Sequence, residues 1–211
     1  NNIFERFSAP QIRKFFQEEP KAYETTTSIA LVSSFIASVL VGKPVPVDAG
    51  DGSGTNLMNI QKRQWNEAAM EATAPDLSRR MEPVAESGAI AGTIHAYFVK
   101  KYGFREDCLV LPFSGDNPSS LIGLGLVEPG NIGLSLGTSD TLFACMSEPR
   151  VSHKGEGCVF ASPDGRNFMA LICFMNGSLA RESVRNSYGL SWEMFGRILD
   201  KTKAGNEGRL I

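Results

Sequence analysis

Asp116 is the side chain in this sequence that is best placed for acid–base chemistry. It follows the apolar run Leu109-Val110-Leu111-Pro112-Phe113 through Ser114-Gly115, and a helix is predicted to begin at Pro118. A carboxylate at the end of a strand can accept a proton from a substrate hydroxyl or orient that hydroxyl, and a helix N-terminus favours its ionised form. An acidic residue just before a helix is also a common N-cap. Position alone therefore leaves a catalytic role and a capping role open.

Two further features offer polar groups for a hydroxylated or phosphorylated ligand. Asn117, beside Asp116, carries an amide that both donates and accepts hydrogen bonds. The tripeptide Gly137-Thr138-Ser139 lies between two predicted strands, and its backbone N–H groups and two hydroxyls suit phosphate oxygens. Capping or turn formation by Asn117 and an ordinary hairpin turn at 137–139 are the alternatives that the local sequence favours.

The remaining candidates each have an ordinary structural explanation. Arg6 can hold a hydroxyl or phosphate and Trp192 can pack against a purine, but surface arginines and packed tryptophans are common. The glycine-rich segment 51–55 lacks the lysine of a P-loop and the spacing of a dinucleotide fingerprint, so we predict a structural loop. Arg181 and Arg185 stand one turn apart on a predicted helix, which favours a solvated helix face.

The elements that position these groups alternate between helix and strand, which is typical of an α/β protein. The patterns predict helices at about 8–17, 29–41, 67–73, 93–102, 118–126, 179–188 and 192–202. They predict strands at 55–60, 109–113, 131–136, 141–146, 158–161 and 168–174. The pattern changes after Pro129-Gly130, so we predict one domain over residues 1–130 and a second over 131–211.

Composition excludes several classes of protein. The 211 residues are 42% hydrophobic and carry 21 basic against 23 acidic side chains, a net charge of -2. This balance argues against a polybasic protein that binds nucleic acid or a membrane surface, and the longest apolar run is too short and polar to span a bilayer. Two distant histidines and four cysteines without a Cys-x-x-Cys pair predict no metal-ligating residues, reduced thiols and a cytoplasmic location.

Taken together, the motifs resemble the FGGY family of carbohydrate kinases, and most closely its xylulose kinases. The resemblance rests on Ser114-Gly115-Asp116-Asn117-Pro118-Ser119-Ser120-Leu121 and on Ser135-Leu136-Gly137-Thr138-Ser139-Asp140-Thr141-Leu142-Phe143. It extends to segments 4–7, 29–35, 51–57 and 176–179, in the same order along nearly the whole chain. The ordered set is specific, although no single motif is decisive.

The resemblance implies an actin-like (ribonuclease H-like) ATPase fold, with sugar and ATP meeting between two domains. Residues 1–130 would be the later part of the sugar domain, and 131–211 the opening of the nucleotide domain. The implied reaction transfers the γ-phosphoryl group of ATP, with Mg²⁺, to the C5 hydroxyl of D-xylulose. A non-catalytic sugar-binding relative and a kinase for another ketose or polyol are the alternatives, and a homodimer is compatible with either.

The resemblance also implies roles for individual residues. Asp116 matches the catalytic base, while Asn117 and Arg6 match sugar ligands. Gly137, Thr138 and Ser139 match the loop that faces the ATP phosphates, and Trp192 matches a residue at the nucleotide site. Family members also carry an Asp-Gly-Thr phosphate loop near their start and a late glycine-rich adenosine loop, neither of which occurs in these 211 residues. We therefore expect the 211 residues alone to lack kinase activity.

Overall fold

Helices and short strands alternate in the computed structural model of the chain, which describes residues 5–152 and 154–208. They form two compact units, one of Asn1–Gly133 with Leu142–Ile172 and one of Leu134–Thr141 with Cys173–Ile211. The mixture of elements confirms the predicted α/β class. The domain boundary predicted after residue 130 stays a prediction about the whole protein.

The helices of the described residues largely follow the predicted pattern. Gly42 and Gly103 adopt the left-handed conformation that terminates a helix, and they directly follow the predicted helices 29–41 and 93–102. The α-helices are α1 Ser8–Glu18, α2 Pro20–Thr25, α3 Val32–Val41, α4 Ala49–Gly52, α5 Glu67–Thr73, α6 Ala96–Tyr102, α7 Asp116–Gly123, α8 Gly177–Ser187 and α9 Trp192–Lys201. Short 3₁₀ helices span Ser53–Thr55, Leu77–Arg79 and Ala204–Gly208.

Two predicted helix starts and one predicted loop need correction. Helix α3 begins at Val32 and not at Ile29, because Leu31 has an extended backbone (φ -71°, ψ 157°) and is the N-cap. The Ile29 N–H donates to the Arg80 carbonyl oxygen at 2.7 Å. Helix α6 begins at Ala96 and not at Thr93, because Gly92–Thr93 is a strand. The predicted loop at 51–55 is instead helical, since the buried Asp48 side chain caps α4 by accepting from the Asp51 N–H.

The strands form one larger sheet and three small pairs. They are β1 Val47–Asp48, β2 Met58–Asn59, β3 Gln64–Trp65, β4 Val84–Ala85, β5 Gly92–Thr93, β6 Leu109–Val110, β7 Ile132–Leu136, β8 Asp140–Met146, β9 Cys158–Ala161 and β10 Phe168–Phe174. The four-stranded sheet has the order β7-β8-β10-β9. Strands β1 and β4 pair in parallel, while β2–β3, β5–β6 and β9–β10 pair antiparallel. The β9–β10 hairpin has its predicted bounds, whereas the predicted strands at 55–60 and 109–113 shrink to two residues each.

A buried apolar cluster anchors α7, the helix that carries Asp116. Leu121 of α7 is fully buried and packs with Phe143, Met169 and Leu171 from the sheet. Burying a side chain of this size contributes roughly 1.5–3 kcal/mol. The helix is therefore held firmly on its inner side while its N-terminus faces outward.

Candidate functional site

Asp116 is the first residue of α7, and its side chain is exposed. One carboxylate oxygen accepts a hydrogen bond of 2.8 Å from the Asn117 backbone N–H. Gly115, and not Asp116, is the N-cap residue of α7. The hypothesis that Asp116 occupies the N-cap position is therefore wrong. An exposed carboxylate at the N-terminus of a helix is available to a ligand.

The turn that leads into Asp116 lies on a buried carboxylate, Asp48. This side chain is 0% exposed. One of its oxygens accepts from the Ser114 hydroxyl at 2.6 Å and from the Asp51 N–H at 3.0 Å. The other oxygen accepts from the Ser87 hydroxyl. Sequence reasoning missed Asp48, and the available signal was an acidic residue placed directly after the apolar Val47.

Asp51 is a third carboxyl group close to this turn. It accepts a hydrogen bond from the Ser33 hydroxyl, and a methyl group at Gly115 would lie 3.0 Å from its other oxygen. Burial raises the pKa of Asp51; the Ser33 bond opposes this, and the charges of Asp48 and Asp116 add to the rise. Asp51 and Asp116 are thus electrostatically linked.

This linkage gives a stability prediction for Asp51→Asn in the full-length protein. The pKa of Asp51 is higher in the folded state than in the unfolded state. The protonated side chain therefore stabilises the fold relative to the ionised one, and this stabilisation is lost as pH rises through the folded-state pKa. Asparagine does not titrate, so we expect the variant to melt at a higher temperature than wild type at pH 7.5. This advantage should shrink toward pH 4, as thermal melts across that range would show.

Asp107→Asn is the matched control for this comparison. The Arg105 side chain bonds to Asp107 and lowers the pKa of that exposed carboxyl. The sign is therefore opposite, and we expect no gain in melting temperature at pH 7.5. If Asp51→Asn instead lowered the melting temperature at pH 7.5, the ionised Asp51 would be stabilising and the argument from burial would be wrong.

The two predicted sugar ligands also belong to the first unit. Asn117 is half-buried beside Asp116 as the second residue of α7. Arg6 is exposed just before α1, with its guanidinium 5.4 Å from the centroid of the Phe7 ring. Burial raises the pKa of the Cys158 thiol, and the charge of Arg6 partly offsets that rise. Phe7, the neighbour of Arg6, lines the same cavity as Cys158, and the role of Arg6 as a sugar ligand stays a prediction.

A cavity of about 600 Å³ opens in the first unit beside Phe7 and Cys158. Its lining is mainly apolar, and it includes Asn56, whose Oδ1 is buried without a hydrogen-bond partner among the described residues. Asp116 and Asn117 do not line it. The carboxylate cluster and this cavity are therefore separate features of the unit.

The predicted turn at 137–139 is present in the second unit as a bend between β7 and β8. The Gly137 carbonyl oxygen accepts from the Ser178 N–H at 3.1 Å and from an Arg181 Nη2 at 3.3 Å. Thr138 is exposed and Ser139 is half-buried. The Gly137 carbonyl is thus committed to α8, and the exposed Thr138 hydroxyl is open to a ligand.

An ion pair between Arg181 and Asp140 lies next to the turn at 137–139. Arg181 Nη1 lies 2.6 Å from Asp140 Oδ2, and the pair is largely withdrawn from solvent. The second Asp140 oxygen is buried and makes no hydrogen bond among the described residues. The prediction of a solvated face for Arg181 is therefore wrong, because its partner Asp140 lies 41 positions earlier in the chain.

Trp192 is the first residue of α9 and stacks against Arg185. The Arg185 guanidinium lies 4.1 Å from the centroid of the indole, and Phe195 contacts the ring edge-on. The Arg185 side chain is only 16% exposed, so the solvated face predicted for it is also wrong. Trp192 itself stays 56% exposed, which leaves surface for a further stacking partner. Its role at a nucleotide site stays a prediction.

The described residues offer little to a metal ion. Within 5–152 and 154–208, His, Cys, Asp and Glu side chains form no group of three or more that could hold one. All four cysteines are free; Cys145 is buried, whereas Cys173 is exposed. Among these residues, no helix is long and apolar enough to cross a membrane.

Comparison with known proteins gives a consistent picture. Residues 1–123 match the model of the FGGY family of carbohydrate kinases, N-terminal domain. The chain is 46% identical over 212 residues to the xylulose kinase of Rattus norvegicus and 44% identical to xylulose kinase 2 of Arabidopsis thaliana. These alignments cover all of this chain but only 39% and 38% of those proteins. The chain thus spans about two-fifths of the length of the curated relatives that it matches.

Solved structures agree on the fold. The crystal structure of a xyloylose kinase from Brucella ovis superimposes with a TM-score of 0.85 at 23% sequence identity. That match covers 94% of this chain and 41% of the Brucella protein. At this identity the comparison concerns the fold alone, and it confirms the predicted actin-like, ribonuclease H-like architecture.

Proposed function

Because the chain belongs to the FGGY family of carbohydrate kinases, we propose that it is part of an ATP-dependent kinase that phosphorylates D-xylulose. The observation that carries this proposal is the exposed Asp116 carboxylate at the start of α7, mounted on a buried hydrogen-bond network. The xylulose kinases that are 44–46% identical support the choice of sugar. Activity is a property of the whole protein, so each test below uses the full-length chain.

In the proposed reaction, Asp116 accepts the proton of the C5 hydroxyl while that oxygen attacks the γ-phosphorus of ATP. The bond from the γ-phosphorus to the β,γ-bridging oxygen breaks, and ADP and D-xylulose 5-phosphate are the products. Most of the rate in such a transfer comes from positioning and from electrostatic stabilisation of phosphate charge. Asp116 serves this purpose because it is an exposed carboxylate on a rigidly held helix end.

The other predicted residues take binding roles in this proposal. Asn117 and Arg6 bind hydroxyls of the sugar, and Thr138 and Ser139 donate to phosphate oxygens of ATP. Trp192 stacks on the adenine with the indole surface that Arg185 leaves exposed. Mg²⁺ bound to ATP would neutralise phosphate charge, but the described residues provide no group of three ligands for it, and we assign it no step.

A substrate panel tests the proposal. We expect ATP-dependent release of ADP by the full-length protein to show its highest kcat/KM with D-xylulose, compared with D-ribulose, xylitol and glycerol. A higher kcat/KM with one of the others would identify a kinase for another ketose or polyol. Sugar binding by calorimetry without any turnover would identify a non-catalytic sugar-binding relative instead.

A further inference from the structure

Asp48 ties together three segments that are far apart in the sequence. Its two carboxylate oxygens accept from the hydroxyls of Ser87 and Ser114, which lie 39 and 66 positions away, and from the nearby Asp51 N–H. The carboxylate is fully buried, and a buried carboxylate is tolerated when several donors satisfy it. Each of the three bonds therefore has a structural consequence if it is removed.

Helix α4 and the turn before α7 are packed closely against each other around Asp48. A methyl group at Gly50 would lie 2.8 Å from an Asp48 oxygen, 2.9 Å from the Ser114 hydroxyl and 3.1 Å from the Pro118 Cβ. The backbone of α4 thus approaches both the Ser114 hydroxyl and the first turn of α7. Such close contact prevents the turn from shifting toward α4.

Ser114 is two residues before Asp116, so a fixed Ser114 limits where Asp116 can be. Two residues span at most about 7 Å of chain, and the far side of α7 is fixed by the buried Leu121. Displacement of a catalytic group by about 1 Å can lower a rate about 100-fold. The position of the exposed Asp116 carboxylate is therefore sensitive to the bond between Ser114 and Asp48.

From this geometry we infer that Asp48 is a positioning residue for Asp116, and that it acts through the Ser114 hydroxyl. The inference rests on the proposed function of Asp116 as the base. It separates the two hydroxyls that bond to the same carboxylate. The Ser114 bond holds the turn that leads into Asp116, whereas the Ser87 bond joins Asp48 to the segment after β4.

The test compares Ser114→Ala with Ser87→Ala in the full-length protein. Each substitution removes one hydroxyl donor from Asp48, so both variants should lose similar stability. Only Ser114→Ala should lower kcat for D-xylulose, by about 10- to 100-fold, with the KM for the sugar within about threefold of wild type. Equal kcat values for the two alanine variants would overturn the inference.

A second measurement does not depend on activity. Hydrogen–deuterium exchange of the amides of residues 115–117 and 119 should become faster in Ser114→Ala and stay unchanged in Ser87→Ala. Equal exchange in the two variants would overturn the inference even if the full-length protein phosphorylated no sugar. A wild type without turnover but with the predicted exchange difference would instead refute the proposed function and leave the positioning of the turn supported.

Discussion

Asp116→Asn in the full-length protein is expected to lower kcat for phosphorylation of D-xylulose by about 10²–10⁴-fold. Asparagine has nearly the same size and can still accept the hydrogen bond from the Asn117 N–H. It cannot accept a proton from the sugar hydroxyl at neutral pH, so the chemical step is affected far more than binding. Coupled assays of ADP release give kcat, and calorimetry gives the dissociation constant of D-xylulose, which we expect to stay within about threefold of wild type.

The matched control is Asp107→Asn, which removes an exposed carboxylate of the same unit that pairs with Arg105. We expect its kcat to equal that of wild type. Loss of the Asp116 charge at the helix N-terminus costs only about 0.3–1 kcal/mol, so the Asp116→Asn protein should remain folded in a thermal melt. A kcat within tenfold of wild type would show that Asp116 merely stabilises the start of α7.

Local patterns were sufficient for the elements whose determinants are local. The apolar stretches 158–161 and 168–174, joined by a Ser-Pro-Asp-Gly turn, predicted the β9–β10 hairpin with the bounds that the structure has. The predicted helix ends at 41 and 102 are correct, because Gly42 and Gly103 follow them in the left-handed conformation that favours glycine. Residues 29–31 were mispredicted as helix. Leu31 is extended, and the Ile29 N–H donates to the carbonyl oxygen of Arg80, 51 positions later, a contact that no local pattern reveals.

The same distinction applies to the candidate site. Asp116 was found from its sequence neighbourhood, since an apolar run, a glycine turn and a helix start are all local features. The role of Asp48 depends on Ser87 and Ser114, and that of Arg181 depends on Asp140; these partners are distant in sequence. The place of Asp116 at the start of a helix could thus be predicted from the sequence, whereas the buried side chains with distant partners could not, and the binding roles stay proposals.

Gly177→Ala is expected to disrupt the second unit by overpacking. The new Cβ would lie closer than 3.0 Å to all three carboxyl atoms of Asp140, a separation that real structures do not tolerate. Asp140 cannot move away freely, because Arg181 holds it at 2.6 Å. Overpacking of this kind costs about 1–3 kcal/mol, and we expect a lower melting temperature for the full-length variant.

Gly177→Ala should also displace the turn at 137–139. Arg181 donates to the Gly137 carbonyl as well as to Asp140, so a displaced Asp140 shifts both the ion pair and the turn. If the turn contacts ATP phosphates as proposed, the dissociation constant for ATP, measured by calorimetry, should rise while that for D-xylulose is unchanged. An equal rise for both ligands would indicate general loss of structure and would count against a phosphate role for the turn.

A double-substitution cycle identifies the cause of the stability loss. In an Asp140→Ala background the carboxyl group is absent, so adding Gly177→Ala should cost almost nothing, and the two substitutions should be strongly non-additive. Gly196→Ala is the control for a methyl group on a helix, because a Cβ there meets no atom within 4 Å among the described residues. Alanine is a better helix former than glycine by about 0.5–1 kcal/mol, so that variant should melt at a higher temperature. Additive costs for Gly177→Ala and Asp140→Ala would show that the methyl group and the carboxylate do not collide.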